Sequence, residues 1–210
     1  MTGRVEDLLS RAACERIAAA VARAEAGTAG EIVVMVSGRA GLYRSVVLTA
    51  ALAGGLVAPW PLLLLTGWST GLVLLAQAGV VALILTASLS ERLRLALMPR
   101  SLRRGRVREA AQFAFRARGL TRTRGRTGLL LFLALAERHA EIVADEGVLA
   151  RLDARAWADL IADLTAALRR GEVEAGLVAA VTRLGERLAA GLPPEPGSAD
   201  ELPNRVIIEE

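Results

Sequence analysis

Residues 45–90 read SVVLTAALAGGLVAPWPLLLLTGWSTGLVLLAQAGVVALILTASLS, 46 positions without a charged side chain, bounded by Arg44 and Glu91. A helix that crosses a bilayer needs about 20 predominantly apolar residues, so the stretch holds two spans and a tight turn. A soluble core helix would show a polar face within that length, and Gln77 is the only amide; the competing arrangement is a hairpin buried in a large soluble core. Two breaks compete for the turn. Gly67-Trp68-Ser69-Thr70-Gly71 divides the run evenly into spans at 45–66 and 71–90, whereas Ala58-Pro59-Trp60-Pro61 leaves a first span too short to cross. We take the first division, with Pro59 and Pro61 kinking the outer end of span one. Trp60 and Trp68 then lie near one interface, where indole rings are favoured.

The flanks fix the orientation. The turn carries no charge, while residues 92–126 hold twelve arginines against one acid, Glu109. Basic residues near span ends stay cytoplasmic, which places both flanks and both termini inside and the Trp-rich turn outside. The whole-chain charge of +4 hides this asymmetry, because the remaining residues sum to −7. Three readings of the basic block are open. Arg92, Arg94, Arg100, Arg103, Arg104, Arg106 and Arg108, nearest the span, lie on anionic lipid headgroups in the favoured one, each worth about 1 kcal/mol near the surface. Docking of an acidic membrane-protein partner is the second. Nucleic-acid binding is the third and is set aside, because stacking aromatics are needed and only Phe113 and Phe115 fall in the block.

Outside the hairpin about 40 residues precede and 120 follow, enough for one ordinary domain. No stretch before residue 40 has the apolar core of a signal peptide. The single cysteine, Cys14, excludes an internal disulfide and a thiol–metal cluster. The chain contains no lysine, so its arginines reflect composition as much as bidentate chemistry.

Taken in order, Leu9, Ala13, Ile17, Ala20, Val21 and Ala24 form one stripe at helical spacing over residues 8–25. Gly27-Thr28-Ala29-Gly30 ends that helix. Glu31 to Val36 is β-branched and apolar on both faces, the pattern of a central strand covered on both sides. Beyond the hairpin, the spacing predicts a basic helix over 106–118, with Val107, Ala110, Ala111, Ala114 and Phe115 on one side. Leu129 to Leu135 is a second doubly apolar run. A short helix fits it in isolation; a turn at Ala136-Glu137 and a following strand, Arg138 to Ala144, favour a β-hairpin. In that strand Ala140, Ile142 and Ala144 face one way and His139, Glu141, Val143 and Asp145 the other. Two helices close the domain, one capped by Asp153 and lined by Trp157, Leu160, Ile161, Leu164 and Leu168, the second over Glu172 to Ala190. Val206-Ile207-Ile208 either adds an edge contact or dangles.

The expected fold is an α/β three-layer α/β/α sandwich with a two-helix transmembrane hairpin inserted after the first strand. Its parts are 1–42 and 93–192 for the α/β domain, 43–92 for the hairpin and 193–210 for a tail. Residues 31–36 should pair with 129–135 across the insertion.

The runs Gly30-Glu31-Ile32-Val33-Val34-Met35-Val36, Arg126-Thr127-Gly128-Leu129-Leu130-Leu131-Phe132-Leu133-Ala134, Glu137 to Val148 and Glu201-Leu202-Pro203-Asn204-Arg205 resemble the TPM domain family. The likeness is greatest to its short bacterial membrane-anchored branch. The resemblance implies an α/β sandwich. Relatives include thylakoid proteins linked to photosystem repair, one group described as acid phosphatases, and an accessory subunit of acetylcholine receptors. Many relatives carry a signal peptide and a C-terminal anchor, whereas here the anchor interrupts the domain. Many also have a Gly-rich turn where this chain reads Ala144-Asp145-Glu146-Gly147, keeping only the last glycine.

Two functions follow. The first is a non-enzymatic accessory or assembly factor for a membrane complex, held at a bacterial inner membrane and needing no cofactor. The second is a membrane-bound phosphatase-like hydrolase. A hard cation such as calcium or magnesium takes several oxygen ligands, and Asp145, Glu146 and Asp153 would supply them. Arg138 or the Arg122-Arg124-Arg126 loop would stabilise transferred phosphoryl oxygens. In the plainer reading these residues are a solvated strand face, with Asp153 a helix cap and His139 on the surface.

Overall fold

A computed structural model describes residues 9–41, 43–90, 95, 98–123, 125–152, 157–194 and 205–209. Two compact units divide the chain, one formed by 1–41 with 103–210 and the other by 42–102.

The first unit is mixed α/β. Helix α1 (Arg11–Glu25) starts at Ser10, whose side chain accepts a hydrogen bond from the Ala13 N–H and so satisfies one of the orphan donors of the first turn. Strand β1 (Glu31–Ser37) follows. Helix α5 (Arg100–Ala117) leads to β2 (Gly128–Ala134) and β3 (His139–Ala144). The short helix α6 (Glu146–Leu149) precedes α7 (Ala158–Arg170) and α8 (Val173–Gly191), and β4 (Ile207–Glu209) comes last. The sheet order is β3-β2-β1-β4. β1 and β2 pair in parallel from Glu31 opposite Gly128 to Ser37 opposite Ala134. The doubly apolar runs are thus neighbours, as the sequence predicts. β2 and β3 are antiparallel, with Leu129 opposite Ala144 and Ala134 opposite His139.

Alternation along β1 and β2 feeds two separate cores. Ile32, Val34, Val36, Leu129, Leu131 and Leu133 meet Ile17 and Val21 of α1, Leu160 and Leu164 of α7, and Leu177, Val181, Leu184 and Leu188 of α8. Val33, Met35, Leu130 and Phe132 meet Val107, Ala111 and Phe115 of α5 together with Leu120. A strand buried on both faces needs apolar residues at every position, which is why these two segments lack a polar stripe.

Several boundaries differ from expectation. α5 starts at Arg100, two turns before residue 106. Pro99 leaves the last non-helical position, and the exposed arginines after it are good helix formers. The turn between β2 and β3 runs through residues 135–138, placing Arg138 in the turn, with a left-handed φ of +48°. The C-terminal segment does not dangle: β4 pairs in parallel with β1, Met35 opposite Ile207, and Gly38 N–H donates to the Glu209 carbonyl at 2.9 Å. Asp153, expected to cap α7, lies outside the described residues; the residue preceding α7 is Trp157, which makes no side-chain cap.

In the second unit, α2 (Arg44–Val57) and α3 (Pro59–Leu65) meet at Ala58, where Pro59 has no N–H to continue the ladder. Together they give one apolar helical stretch, Ser45–Leu65, followed by α4 (Thr70–Ala87), and both are long and apolar enough to cross a membrane. The break falls at residues 66–69, the Gly67-Trp68-Ser69 alternative. A Cβ on Gly54 would stand 2.9 Å from Ile84 Cδ1, and one on Gly55 2.8 Å from Val81 Cγ2, so paired glycines let the two helices approach. Only 11% and 6% of the two apolar windows is buried; Leu52, Leu64, Leu65, Leu75 and Leu83 are all exposed.

Candidate functional site

The residues singled out for chemistry meet where the 119–128 loop abuts the end of β3. Gly119 turns the chain out of α5 with φ +70°. Thr123 then organises the loop: its carbonyl accepts the Arg126 N–H at 3.0 Å and its hydroxyl accepts the Thr127 N–H at 3.0 Å. These bonds hold Arg126 at φ +52°, a left-handed conformation that costs a residue with a Cβ about 1–2 kcal/mol. The carbonyl of Arg126 accepts from Gly147 N–H at 3.0 Å, and Asp145 N–H donates to the Gly128 carbonyl at 2.9 Å. The loop is thereby sewn to the start of α6.

Arg126 lies over both predicted carboxylates. Its Nη2 donates to Asp145 Oδ1 at 3.2 Å and its Nη1 to Glu146 Oε2 at 2.9 Å; Nε reaches Asp145 Oδ2 at 3.4 Å. Asp145 is buried, its side chain 4% exposed, while Glu146 is open to solvent. Asp145 Oδ1 also accepts the Glu146 N–H at 2.8 Å, the N-cap bond of α6. The Asp145 bonds, then the charges of Asp145 and Glu146, raise the Arg126 guanidinium above its ordinary pKa.

The arrangement is an ion-paired junction. A hard cation recruits carboxylate oxygens not already neutralised; here three guanidinium nitrogens face Asp145 and Glu146. Among the described residues no three of His, Cys, Asp or Glu are grouped to hold a metal. The third expected ligand, Asp153, falls outside them, as do Arg92, Arg94 and Arg124. Arg126, expected to meet phosphoryl oxygens, is engaged with the expected metal ligands instead. Arg138 stands at the opposite end of β3, about 20 Å along a six-residue strand, too far to act with Asp145. His139 Nε2 and Glu141 Oε2 are 3.7 Å apart and share a strand face, but the Asp145 carboxylate turns to α6.

One buried acid escaped the sequence reading. Glu137, in the turn the sequence predicts, is 6% exposed, and its Oε1 accepts the Ala40 N–H at 3.0 Å. The carboxylate fastens the chain after β1 to the β2–β3 turn, a contact across 97 positions that no local pattern announces.

The Arg126 junction carries a direct test. Arg126→Ala removes the ion pairs and keeps the strained backbone; Arg126→Gly removes the pairs but takes φ +52° without penalty. We expect Arg126→Ala to lower the unfolding temperature and Arg126→Gly to lower it less, the difference being the backbone strain that glycine relieves. Thermal unfolding in detergent reads both; equal losses would show that the backbone stores no strain.

The basic helix is the second candidate. The arginines from 100 to 108 lie on α5, and Arg100, Arg104, Arg106 and Arg108 are exposed. Arg106 Nη1 pairs with Glu109 Oε2 at 3.0 Å.

The comparisons agree with this architecture. The TPM domain family model matches residues 84–187, about half of the chain, from the end of α4 through most of α8. The solution structure of the BA42 protein from the psychrophilic bacterium Bizionia argentinensis is similar in fold, with a TM-score of 0.59 at 18% identity over 95% of this chain and 94% of that one. No curated protein matches. The chain belongs to the TPM domain family.

Proposed function

We propose that this TPM-domain protein is a membrane-anchored, non-enzymatic accessory or assembly factor for a membrane complex. In this reading the hairpin crosses a bacterial inner membrane twice, and the α/β domain, a three-layer sandwich interrupted after its first strand, lies with both termini in the cytoplasm. The observation that carries it is the apolar surface of the two helices over 45–65 and 70–87. Their leucines face outward, with Leu64 at 78% and Leu65 at 81% exposure. In water, each fully exposed leucine forgoes about 1.5–3 kcal/mol of burial; in lipid that cost vanishes. The absence of charge from Ser45 to Ser90 and the arginines that follow support the same topology.

The sidedness is testable. Single cysteines placed at Ser69 and at Ser198, after Cys14→Ala, should label from opposite sides of the membrane in intact cells or spheroplasts. Labelling from the same side would remove the double crossing.

The family model bears the name phosphatase, which favours a second reading as a divalent-cation-dependent hydrolase. The pairing of Asp145 and Glu146 with Arg126 argues against a metal at that point. A thermal shift with calcium, magnesium or manganese, together with phosphate-ester turnover, both lost in Asp145→Ala, would establish the hydrolase; no shift and no turnover is the outcome expected of the accessory factor.

A further inference from the structure

Helix α5 shows two unlike faces. Val107, Ala111, Ala114 and Phe115 are buried against the sheet. Phe113, two residues from Phe115, is turned to the opposite side and is 75% exposed. Helical spacing puts Glu109 one turn before it, Arg116 one turn after and Arg106 two turns before. Glu109 is held by Arg106 at 3.0 Å, which leaves the face positive. A surface made for a protein partner gathers several apolar residues at its centre; here Phe113, and Leu102 three turns before it on the same face, stand apart among guanidinium groups. That is the composition of a helix lying in a lipid interface, its ring at the acyl boundary and its arginines at the phosphates.

Chain length argues for the same occupant. Twelve residues separate Ala87, the end of α4, from Arg100, the start of α5. At most about 45 Å of extended chain therefore links this helix to a segment long and apolar enough to cross a bilayer. Anionic headgroups also match the charge: residues 100–118 hold seven arginines and one acid.

We infer that the outward face of α5 is a lipid-binding surface for an anionic leaflet, with Phe113 inserted among acyl chains and Arg106 and Arg116 on lipid phosphates. The inference rests on the membrane-anchored reading and adds a second contact, dependent on lipid charge, that the hairpin does not supply. Near the surface such attraction is screened within a Debye length of about 8 Å at physiological ionic strength, so salt weakens this contact and leaves the hairpin in place.

The experiment uses the full chain with Cys14→Ala and Phe113→Cys, labelled with an environment-sensitive fluorophore. It is reconstituted into phosphatidylcholine vesicles with or without phosphatidylglycerol. A label on Arg169→Cys, an exposed position of α7, serves as reference. We expect the label at 113 to shift to shorter wavelength and to be quenched by brominated acyl chains only in the phosphatidylglycerol vesicles. High salt should reverse both effects, and the reference label should stay aqueous throughout. An aqueous label at 113 in a chain that resists carbonate extraction would overturn the inference and leave the anchor standing. Equal shielding in both lipids would overturn the role of lipid charge. Release of the chain by carbonate would overturn the anchor and the inference together.

Discussion

Gly147→Ala should cost about 2–4 kcal/mol, a drop in unfolding temperature of roughly 5–12 °C for a chain of this size. A Cβ at residue 147 would stand 2.4 Å from the carbonyl oxygen of Gly125 and 2.7 Å from that of Arg126. Both obstacles are backbone atoms, so no rotamer change relieves the overlap. The loop must move, and moving it breaks the Gly147–Arg126 hydrogen bond and pulls the guanidinium from Asp145. Asp145 is then a buried carboxylate without its cation, a second penalty added to the first. The control is the same substitution elsewhere. Gly105 is an exposed residue inside α5 with nothing near its missing Cβ, and Gly105→Ala should stabilise by about 0.5–1 kcal/mol. Opposite signs in thermal unfolding of the two variants are the expected result. A neutral Gly147→Ala would show that the loop does not seat on α6 as described.

The sheet was legible because its central strands carry their burial in their own composition. Val33 and Val34, or Leu130 and Leu131, are adjacent residues on opposite faces, and all are buried; only a strand covered twice demands that. The helices facing the first core were equally open to reading, since α1, α7 and α8 each concentrate their apolar residues on one stripe. β4 was undecided for the opposite reason. Three residues, one of them Glu209, give no periodicity; what fixes them is backbone pairing to β1 and the 2.7 Å contact of Arg118 Nη2 with Glu209. The candidate site was half legible. Asp145 and Glu146 stood out as adjacent acids at a strand end, and Arg126 as a possible cationic partner for phosphate. Their mutual engagement depends on a left-handed arginine and a loop folded back through Thr123. Neither the spacing of 19 positions between Arg126 and Asp145 nor any local propensity encodes that contact. The burial of Glu137 was missed for the same reason, its partner Ala40 lying on the far side of residues 43–99 in sequence.

On the proposed membrane-anchored reading, replacing residues 43–99 with about six glycine and serine residues should release the chain from the membrane as a soluble, folded protein. Parallel neighbours need a crossover connection, and β1, α5 and β2 form one. Residues 43–99, with helices α2, α3 and α4, come between β1 and α5 in the chain, where α/β units usually have about 2–6 residues. Among the described residues, every member of the two cores comes from outside 42–102, so the excision removes none of those side chains. The full chain should remain in the membrane pellet after carbonate treatment. The shortened chain should appear in the supernatant and unfold in a single cooperative transition without detergent. Burial decides between the competing arrangements of residues 45–90. If the hairpin filled a soluble interior, its loss would leave cavities costing about 24 cal/mol per Å³, and the shortened chain would aggregate or fail to show a transition. If instead it is a lipid-facing insertion, the cut exposes no core, and the parallel register from Glu31–Gly128 to Ser37–Ala134 forms over a shorter link with a smaller closure entropy.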